Sequence, residues 1–114
     1  MNEDCIFCRI VAGTVPADVV ERTDDAIVVR DVQPQAPTHL LVIPTLHAAN
    51  LGDFAAAVSA EKLGALFALA AQTGRASSTD GYRVVVNEGR QGGQTVGHLH
   101  VHVLTGRRMT WPPG

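Results

Sequence analysis

Three of the five histidines of this chain stand at alternate positions in the segment HLHVHVL, residues 98–104. Side chains two positions apart in a β-strand point to the same face, so a strand here would present His98, His100 and His102 together. Neighbouring imidazoles would then lie about 6.5–7 Å apart, within reach of one phosphate-sized group. Near neutral pH an imidazole can be a nucleophile, a proton donor or a cationic partner of phosphate. The spacing therefore predicts that one ring attacks phosphorus while its neighbours bind oxygens and manage protons.

The segment before these histidines, residues 89–97, contains four glycines. Backbone N–H groups without side chains around them can converge on an anion, which favours a phosphate site. Two other interpretations stay open. The segment could be a solvent-facing strand whose polar positions happen to be histidine, or a metal site built from alternate histidines.

Cys5 and Cys8 form a C-x-x-C pair near the N-terminus. Two thiolates are a common half of a tetrahedral metal site, and without a metal they would be small buried hydrophobic residues. A secreted disulfide scaffold is not expected, because the two cysteines are too close in sequence to staple a long loop. A redox motif is less favoured, because no βαβ pattern surrounds the pair.

The elements that must position these groups follow from the hydrophobic pattern. Residues 59–75 show the i, i+3, i+4, i+7 spacing of an amphipathic helix, in which Gly64 and Gly74 each cost about 1 kcal/mol relative to alanine. Packing against a sheet must compensate for them. A short helix is expected at 5–12, ending at Gly13. Strands are expected at 19–22, 26–30, 40–43, 82–86 and 98–104, so residues 1–114 form a single α+β domain with one main helix and a five-stranded, mostly antiparallel sheet.

Composition narrows the class of protein. A chain of 114 residues with 46% hydrophobic residues can bury one core. Because few of these residues are aromatic, that core is expected to be mostly aliphatic. The formal charge is −2 and the basic residues are scattered, which argues against nucleic-acid binding. The acidic, polar N-terminus and the absence of a long apolar run predict a cytoplasmic protein without a membrane partner.

The full pattern resembles the histidine-triad (HIT) superfamily, whose motif is His-φ-His-φ-His-φ-φ with φ apolar. The segment HLHVHVL fits it at every position. Four further blocks (CIFCRI, DVQPQAPTHLLVIP, GYRVVVNEG and the terminal WPPG) and the stretch GGQTVG before the triad resemble the Hint branch of that superfamily. Together they extend from residue 5 to residue 114.

This resemblance implies a homodimer in which two five-stranded sheets join into one larger sheet. It also implies a hydrolase that cleaves the P–N bonds of purine nucleotide derivatives (AMP or GMP phosphoramidates and aminoacyl-adenylate-type compounds) without a cofactor for catalysis. Two alternatives are a dinucleoside polyphosphate hydrolase and a non-catalytic nucleotide-binding module that regulates partners. The WPPG and GGQTV blocks favour the Hint branch over the first of these.

The resemblance also implies roles for individual residues. His100 resembles the nucleophile that forms a nucleotidyl-histidine intermediate, and the carbonyl of His98 would orient it. His102 would bind phosphate oxygens and His39 would complete the cluster, although His39 could also be only a structural histidine.

The nucleotide contacts implied by the resemblance lie outside the triad. Asp31 would hold the ribose hydroxyls and Val32 would form part of an apolar base pocket, although Asp31 could instead cap a turn. Thr95 stands where many relatives have serine, and Gly97 replaces a larger residue, so leaving-group contacts and the site entrance are expected to differ. The phosphate would be held by Asn87, which could also be an ordinary strand-end residue, and by Gly93, Gln94, Thr95, His100 and His102.

Two further expectations come from the same resemblance. Cys5, Cys8, His47 and His98 resemble a zinc-binding set found in some members, where the zinc would be structural. The position of Trp111 implies that it reaches the active site of a partner protomer.

Overall fold

A computed structural model describes residues 3–114, which form a five-stranded sheet with helices on both faces. The strand order is β1-β2-β3-β5-β4 and every neighbouring pair is antiparallel, which confirms the predicted α+β class. The elements in chain order are α1 (Ile6–Ala12), β1 (Val19–Arg22), β2 (Ala26–Arg30), β3 (Thr38–Pro44), α2 (Leu51–Ala57), α3 (Ala60–Ser77), β4 (Arg83–Val85) and β5 (Val101–Thr105).

The central strand β3 explains the continuous apolar run of the sequence, because both of its faces are covered. Leu40 and Val42 lie in the core that includes α3, whereas Leu41 and Ile43 lie in the core that includes α1. A strand buried on both faces reads as an uninterrupted hydrophobic segment rather than an alternating one. The predicted position of this strand at the centre of the sheet is confirmed.

The predicted last strand begins too early in the sequence. The strand starts at Val101, whereas His98 and Leu99 form backbone hydrogen bonds outside the sheet. The carbonyl of His98 accepts a hydrogen bond from the His100 ring, and the N–H of Leu99 donates to the carbonyl of Ala48. The strand predicted at 82–86 is likewise shorter, with only Arg83–Val85 paired.

One helix, α2, was not predicted. It has seven residues and buries only Phe54, so it has no repeated apolar stripe for periodicity to detect. Its start carries a local signal, because the side chain of Asn50 accepts the N–H of Asp53 at 2.8 Å. None of the helices formed by residues 3–114 is long and apolar enough to span a membrane.

Gly74 has a packing role that its cost to the helix conceals. It is buried on α3, and the ring of Tyr82 lies directly over it. A Cβ at position 74 would overlap the Cγ and Cδ atoms of that ring. Gly64, on the same helix, is exposed and has no heavy atom within 4 Å of the position a Cβ would take.

These two glycines should therefore respond oppositely to the same substitution. We expect Gly64→Ala to raise the free energy of unfolding by about 0.5–1 kcal/mol, the gain in helix propensity. Gly74→Ala should lower it by about 1–3 kcal/mol, because Tyr82 must leave its place. Urea unfolding followed by circular dichroism measures both, and equal stabilisation by the two variants would contradict the packing role.

Candidate functional site

The three alternating histidines share one face, as predicted. Their intervening neighbours Leu99, Val101 and Val103 lie in the core beneath α3, and the histidines lie on the side of α1. The side chain of His98 is fully buried, and His100 is almost so. Two functional groups result: a cluster of imidazoles around His100, and a group of thiols and imidazoles around His98.

His100 is held in one tautomer by the backbone. Its Nδ1 lies 2.8 Å from the carbonyl oxygen of His98. A carbonyl can only accept, so Nδ1 carries the proton and Nε2 of the neutral ring is bare. The ring of Phe7, on α1, packs edge-on against His100 at a centroid distance of 5.0 Å. His100 therefore offers a nucleophilic nitrogen in a fixed direction.

His39 and His102 are joined by a hydrogen bond of defined direction. The backbone N–H of Gln35 donates to Nδ1 of His39 at 3.0 Å, so in the neutral ring the proton is on Nε2. That Nε2 lies 2.9 Å from Nδ1 of His102 and donates to it. His102 therefore carries its proton on Nε2, the nitrogen opposite His39.

Asp31 lies beside this pair. Its Oδ2 is 3.4 Å from Nε2 of His39, and its Oδ1 accepts the N–H of Gln33 at 2.8 Å. The second contact is a local turn, so the predicted turn-capping role is present together with the contact to the histidines. The side chain of Val32 next to it is 94% exposed, an apolar surface open to a ligand.

Burial favours the neutral forms of His39 and His102. Burial lowers the pKa of His39, and Asp31 opposes the change. The pKa of His102 is lowered to about 4, first by burial and then by its neighbours His100 and His39. At neutral pH His102 is therefore an uncharged donor through Nε2–H, and it is not a cation.

The second group joins residues from three separate parts of the sequence. Cys5, Cys8, His47 and His98 place one donor atom each within 4.8 Å of all the others. Cys5 caps α1, with its Sγ accepting the N–H of Cys8 at 3.3 Å. Nδ1 of His98 lies 3.3 Å from Sγ of Cys5, 3.5 Å from Sγ of Cys8 and 3.1 Å from Nδ1 of His47.

These separations fit a tetrahedral zinc shell. Zinc–sulfur bonds near 2.3 Å and zinc–nitrogen bonds near 2.0 Å imply sulfur–nitrogen edges of about 3.5 Å and nitrogen–nitrogen edges of about 3.3 Å. The second ring nitrogen of His98 lies 2.9 Å from the carbonyl oxygen of Pro44 and donates to it. Nδ1 of that ring is thereby left bare toward the group, the arrangement typical of a metal-ligating histidine.

The glycine-rich loop is held mainly by its own hydrogen bonds. The N–H groups of Gly93 and Gln94 donate to the carbonyls of Arg90 and Gly89. The Gln94 amide also donates to the carbonyls of Ala49 and Val96. Gly93 and Gln94 were both predicted to contact phosphate. In the structure their backbone N–H groups instead bond to carbonyls of the same loop.

Asn87 and Thr95 are placed differently. Asn87 lies two residues beyond Val85, which pairs with His102, so the strand direction carries it toward the histidines. Its side-chain amide donates to the carbonyl of Gly92. Position 92 needs a glycine, because an added Cβ there would overlap the Glu88 carbonyl. Thr95 is exposed.

Residues 12–109, most of the chain, match the sequence profile of the HIT domain. The chain belongs to the HIT domain family.

Individual members of the family cover all or nearly all of the chain. An uncharacterized HIT-like protein of Synechococcus elongatus is 49% identical over 117 residues, covering 100% of both chains. The crystal structure of a HIT family hydrolase from Legionella pneumophila has a TM-score of 0.88 and 44% identity, covering 96% of this chain and 99% of its own. A zinc-bound histidine triad family protein from Mycobacterium smegmatis has a TM-score of 0.81 and 30% identity, covering 96% and 79%.

Three groups of this HIT domain site were missed in the sequence. Two are backbone groups, the N–H of Gln35 and the carbonyl of Pro44, which no side-chain pattern reveals. The third is Phe7, whose place on the apolar stripe of α1 was the available signal. The placement of His47 and His98 beside the two cysteines agrees with the zinc-binding set that the family resemblance implied.

The lowered pKa of His102 predicts its titration. In an NMR titration of the imidazole C–H signals of the folded protein, we expect His102 to titrate near pH 4. In urea the same residue should titrate near its ordinary pKa of about 6.5. Because the folded state prefers the neutral ring, its contribution to stability is present above about pH 6.5 and is lost as the pH falls toward 4. A folded-state pKa at or above 6.5 would contradict the neutral assignment.

Proposed function

We propose that this HIT protein hydrolyses the P–N bond of purine nucleoside monophosphate derivatives through a nucleotidyl intermediate on His100. One observation carries the proposal: Nδ1–H of His100 donates to the His98 carbonyl, so Nε2 is bare and directed. The resemblance to the Hint branch supplies the substrate class. It contains phosphoramidates of AMP or GMP, which carry the P–N bond, and aminoacyl-adenylate-type compounds, whose leaving group is bound to phosphorus through oxygen. That the Legionella pneumophila relative is described as a hydrolase supports an enzymatic role.

In the first step the lone pair of His100 Nε2 attacks the α-phosphorus. The P–N bond to the leaving group breaks, and the leaving nitrogen takes a proton from the solvent and departs as a neutral amine. The positive charge that develops on the His100 ring is stabilised by the His98 carbonyl, which still accepts Nδ1–H. In the second step water attacks the phosphorus and releases a proton to the solvent, which replaces the one taken up by the amine. The bond between phosphorus and His100 Nε2 breaks, and the nucleoside monophosphate is released.

Other residues would hold the nucleotide during these steps. The Nε2–H of His102 donates to a phosphate oxygen, Asp31 accepts from the ribose hydroxyls, and Val32 packs on the base. The Gly93 and Gln94 N–H groups already have partners, and one amide hydrogen of Asn87 goes to the Gly92 carbonyl. The second amide hydrogen of Asn87 and the Thr95 hydroxyl would therefore make the main contribution of this region to phosphate binding.

We further propose that Cys5, Cys8, His47 and His98 bind a structural zinc ion. The donor set and its spacing support this, as does the zinc-bound relative from Mycobacterium smegmatis. Zinc bound there would tie the start of α1 to the segment before β5 and would supply no reacting group. The carbonyl of His98 would then orient the His100 nucleophile, and the ring of His98 would be held in place as a zinc ligand.

The same resemblance leads us to propose a cytoplasmic homodimer. A chain of 114 residues gains core by joining its sheet to that of a second copy. The side chain of Trp111 is 84% exposed in one protomer, which leaves it available to the partner's site.

The nucleophile is tested by His100→Ala. We expect turnover of an adenosine phosphoramidate to fall at least about a thousandfold, because no other group replaces the nucleophile, while AMP still binds. Intact-mass spectrometry of the native protein during turnover should detect a nucleotidyl adduct that His100→Ala lacks. In His102→Ala we expect the adduct to accumulate, and undiminished turnover of His100→Ala would refute the assignment. A dinucleoside polyphosphate cleaved faster than the phosphoramidate would favour the alternative hydrolase.

The metal proposal is tested by elemental analysis of protein purified without chelator or nickel resin. We expect about one zinc per chain in the native protein and less than about 0.2 in Cys8→Ser, which lacks one ligand. The control is His39→Gln, which removes a histidine outside the group and should keep its zinc. Native protein with less than about 0.2 zinc per chain would overturn the proposal.

A further inference from the structure

The loop between β2 and β3, residues 31–37, contacts one side of the imidazole cluster through His39. We propose that this loop is a positioning element, in which the N–H of Gln35, anchored by Arg107, sets the tautomer of His39 and through it that of His102. The consequence for catalysis rests on the proposed function, but the tautomers themselves do not.

The direction of the hydrogen bonds carries the first step. A backbone N–H can only donate, so Nδ1 of His39 must accept the Gln35 N–H at 3.0 Å. His39 then donates through Nε2 to Nδ1 of His102 at 2.9 Å. All donors in this row point the same way, and the row ends in Nε2–H of His102.

The reversed arrangement is opposed at two points. It would put a proton on Nδ1 of His39, facing the Gln35 N–H, and a lone pair on Nε2, facing Oδ2 of Asp31 at 3.4 Å. A buried donor facing a donor and an acceptor facing a carboxylate are both unfavourable. Both groups that select this tautomer, the Gln35 N–H and the Asp31 carboxylate, therefore belong to the loop.

The loop is itself anchored by the turn after β5. Nε and the second terminal nitrogen of Arg107 donate to the carbonyl of Gln35 at 3.3 and 3.1 Å. Gly106 lies against Pro37 so closely that a Cβ there would overlap its ring. These contacts connect the C-terminal end of the histidine strand to Gln35, the residue whose N–H orients His39.

The consequence appears at the phosphate. With the observed tautomer, His102 presents a donor to a phosphate oxygen, and with the reversed one it would present a lone pair. The donor matters most when negative charge grows on the oxygens in the transition state. A disturbed loop should therefore lower kcat more than it changes KM.

Long-range ¹⁵N NMR of uniformly labelled protein tests the tautomers directly, because bare and protonated ring nitrogens have well-separated shifts. In native protein we expect His39 and His102 to be protonated on Nε2. Either residue protonated on Nδ1 would overturn the proposal. If the protein shows the predicted tautomers but does not turn over a phosphoramidate, the positioning role is supported and only the proposed function is refuted.

Two matched pairs of variants then test the anchoring. In Gln35→Pro, which removes the N–H, and in Arg107→Ala, the ¹⁵N signal of His39 Nδ1 should move toward that of a nitrogen without a hydrogen bond. Gln35→Ala keeps the N–H and Arg108→Ala removes a neighbouring charge, so both should keep the native spectrum. If Gln35→Pro does not fold, Arg107→Ala decides, and an unchanged His39 signal in it would overturn the role of Arg107.

Kinetics separate this role from a merely structural one. In Arg107→Ala we expect kcat for an adenosine phosphoramidate to fall about tenfold with KM changed less than about twofold, the effect of weakening one hydrogen bond in the transition state. Arg107→Lys keeps a donor and should recover part of the loss. A loss confined to KM would contradict the proposal.

Discussion

The hydrogen bond from the His100 ring to the His98 carbonyl is the interaction on which the rest of the site depends. It leaves one imidazole nitrogen bare in a fixed direction, and it removes the His98 carbonyl from the sheet ladder. The strand can pair only from Val101 onward, so the backbone before it is free to turn the His98 ring into the protein. Burying that ring is tolerated because the Pro44 carbonyl accepts its Nε2–H.

The same residue connects two groups that would otherwise be independent. Through its ring His98 contacts the thiols at the start of α1, and through its carbonyl it holds His100. A seven-residue helix such as α1 has little stability of its own, so its position depends on such contacts. Since Phe7 of that helix packs on His100, whatever orders Cys5 and Cys8 also orders the surroundings of His100.

Prediction from the sequence succeeded where side-chain periodicity carries the information. Period two placed the three histidines opposite Leu99 and Val103, and the period of 3.6 found the long helix. It failed where backbone groups decide, because the Gln35 N–H and the Pro44 carbonyl belong to no residue type. It also treated Gly74 as a cost to the helix, since only the structure reveals the Tyr82 ring above it.

The electrostatics of the cluster bear on which phosphate compound fits it. The hydrogen-bond partners of His39, His100 and His102 are backbone groups and other imidazoles, with Asp31 beside them. With a pKa of about 4, the His102 ring of the free protein is a dipole and not a cation at neutral pH, so under the proposed function it would meet the phosphate through its N–H. Oriented dipoles can hold a single phosphate whose leaving group departs as a neutral amine. A polyphosphate brings several more negative charges, and the hydrogen-bond partners named above include no lysine or arginine to balance them, which supports the proposed monophosphate derivative over a polyphosphate.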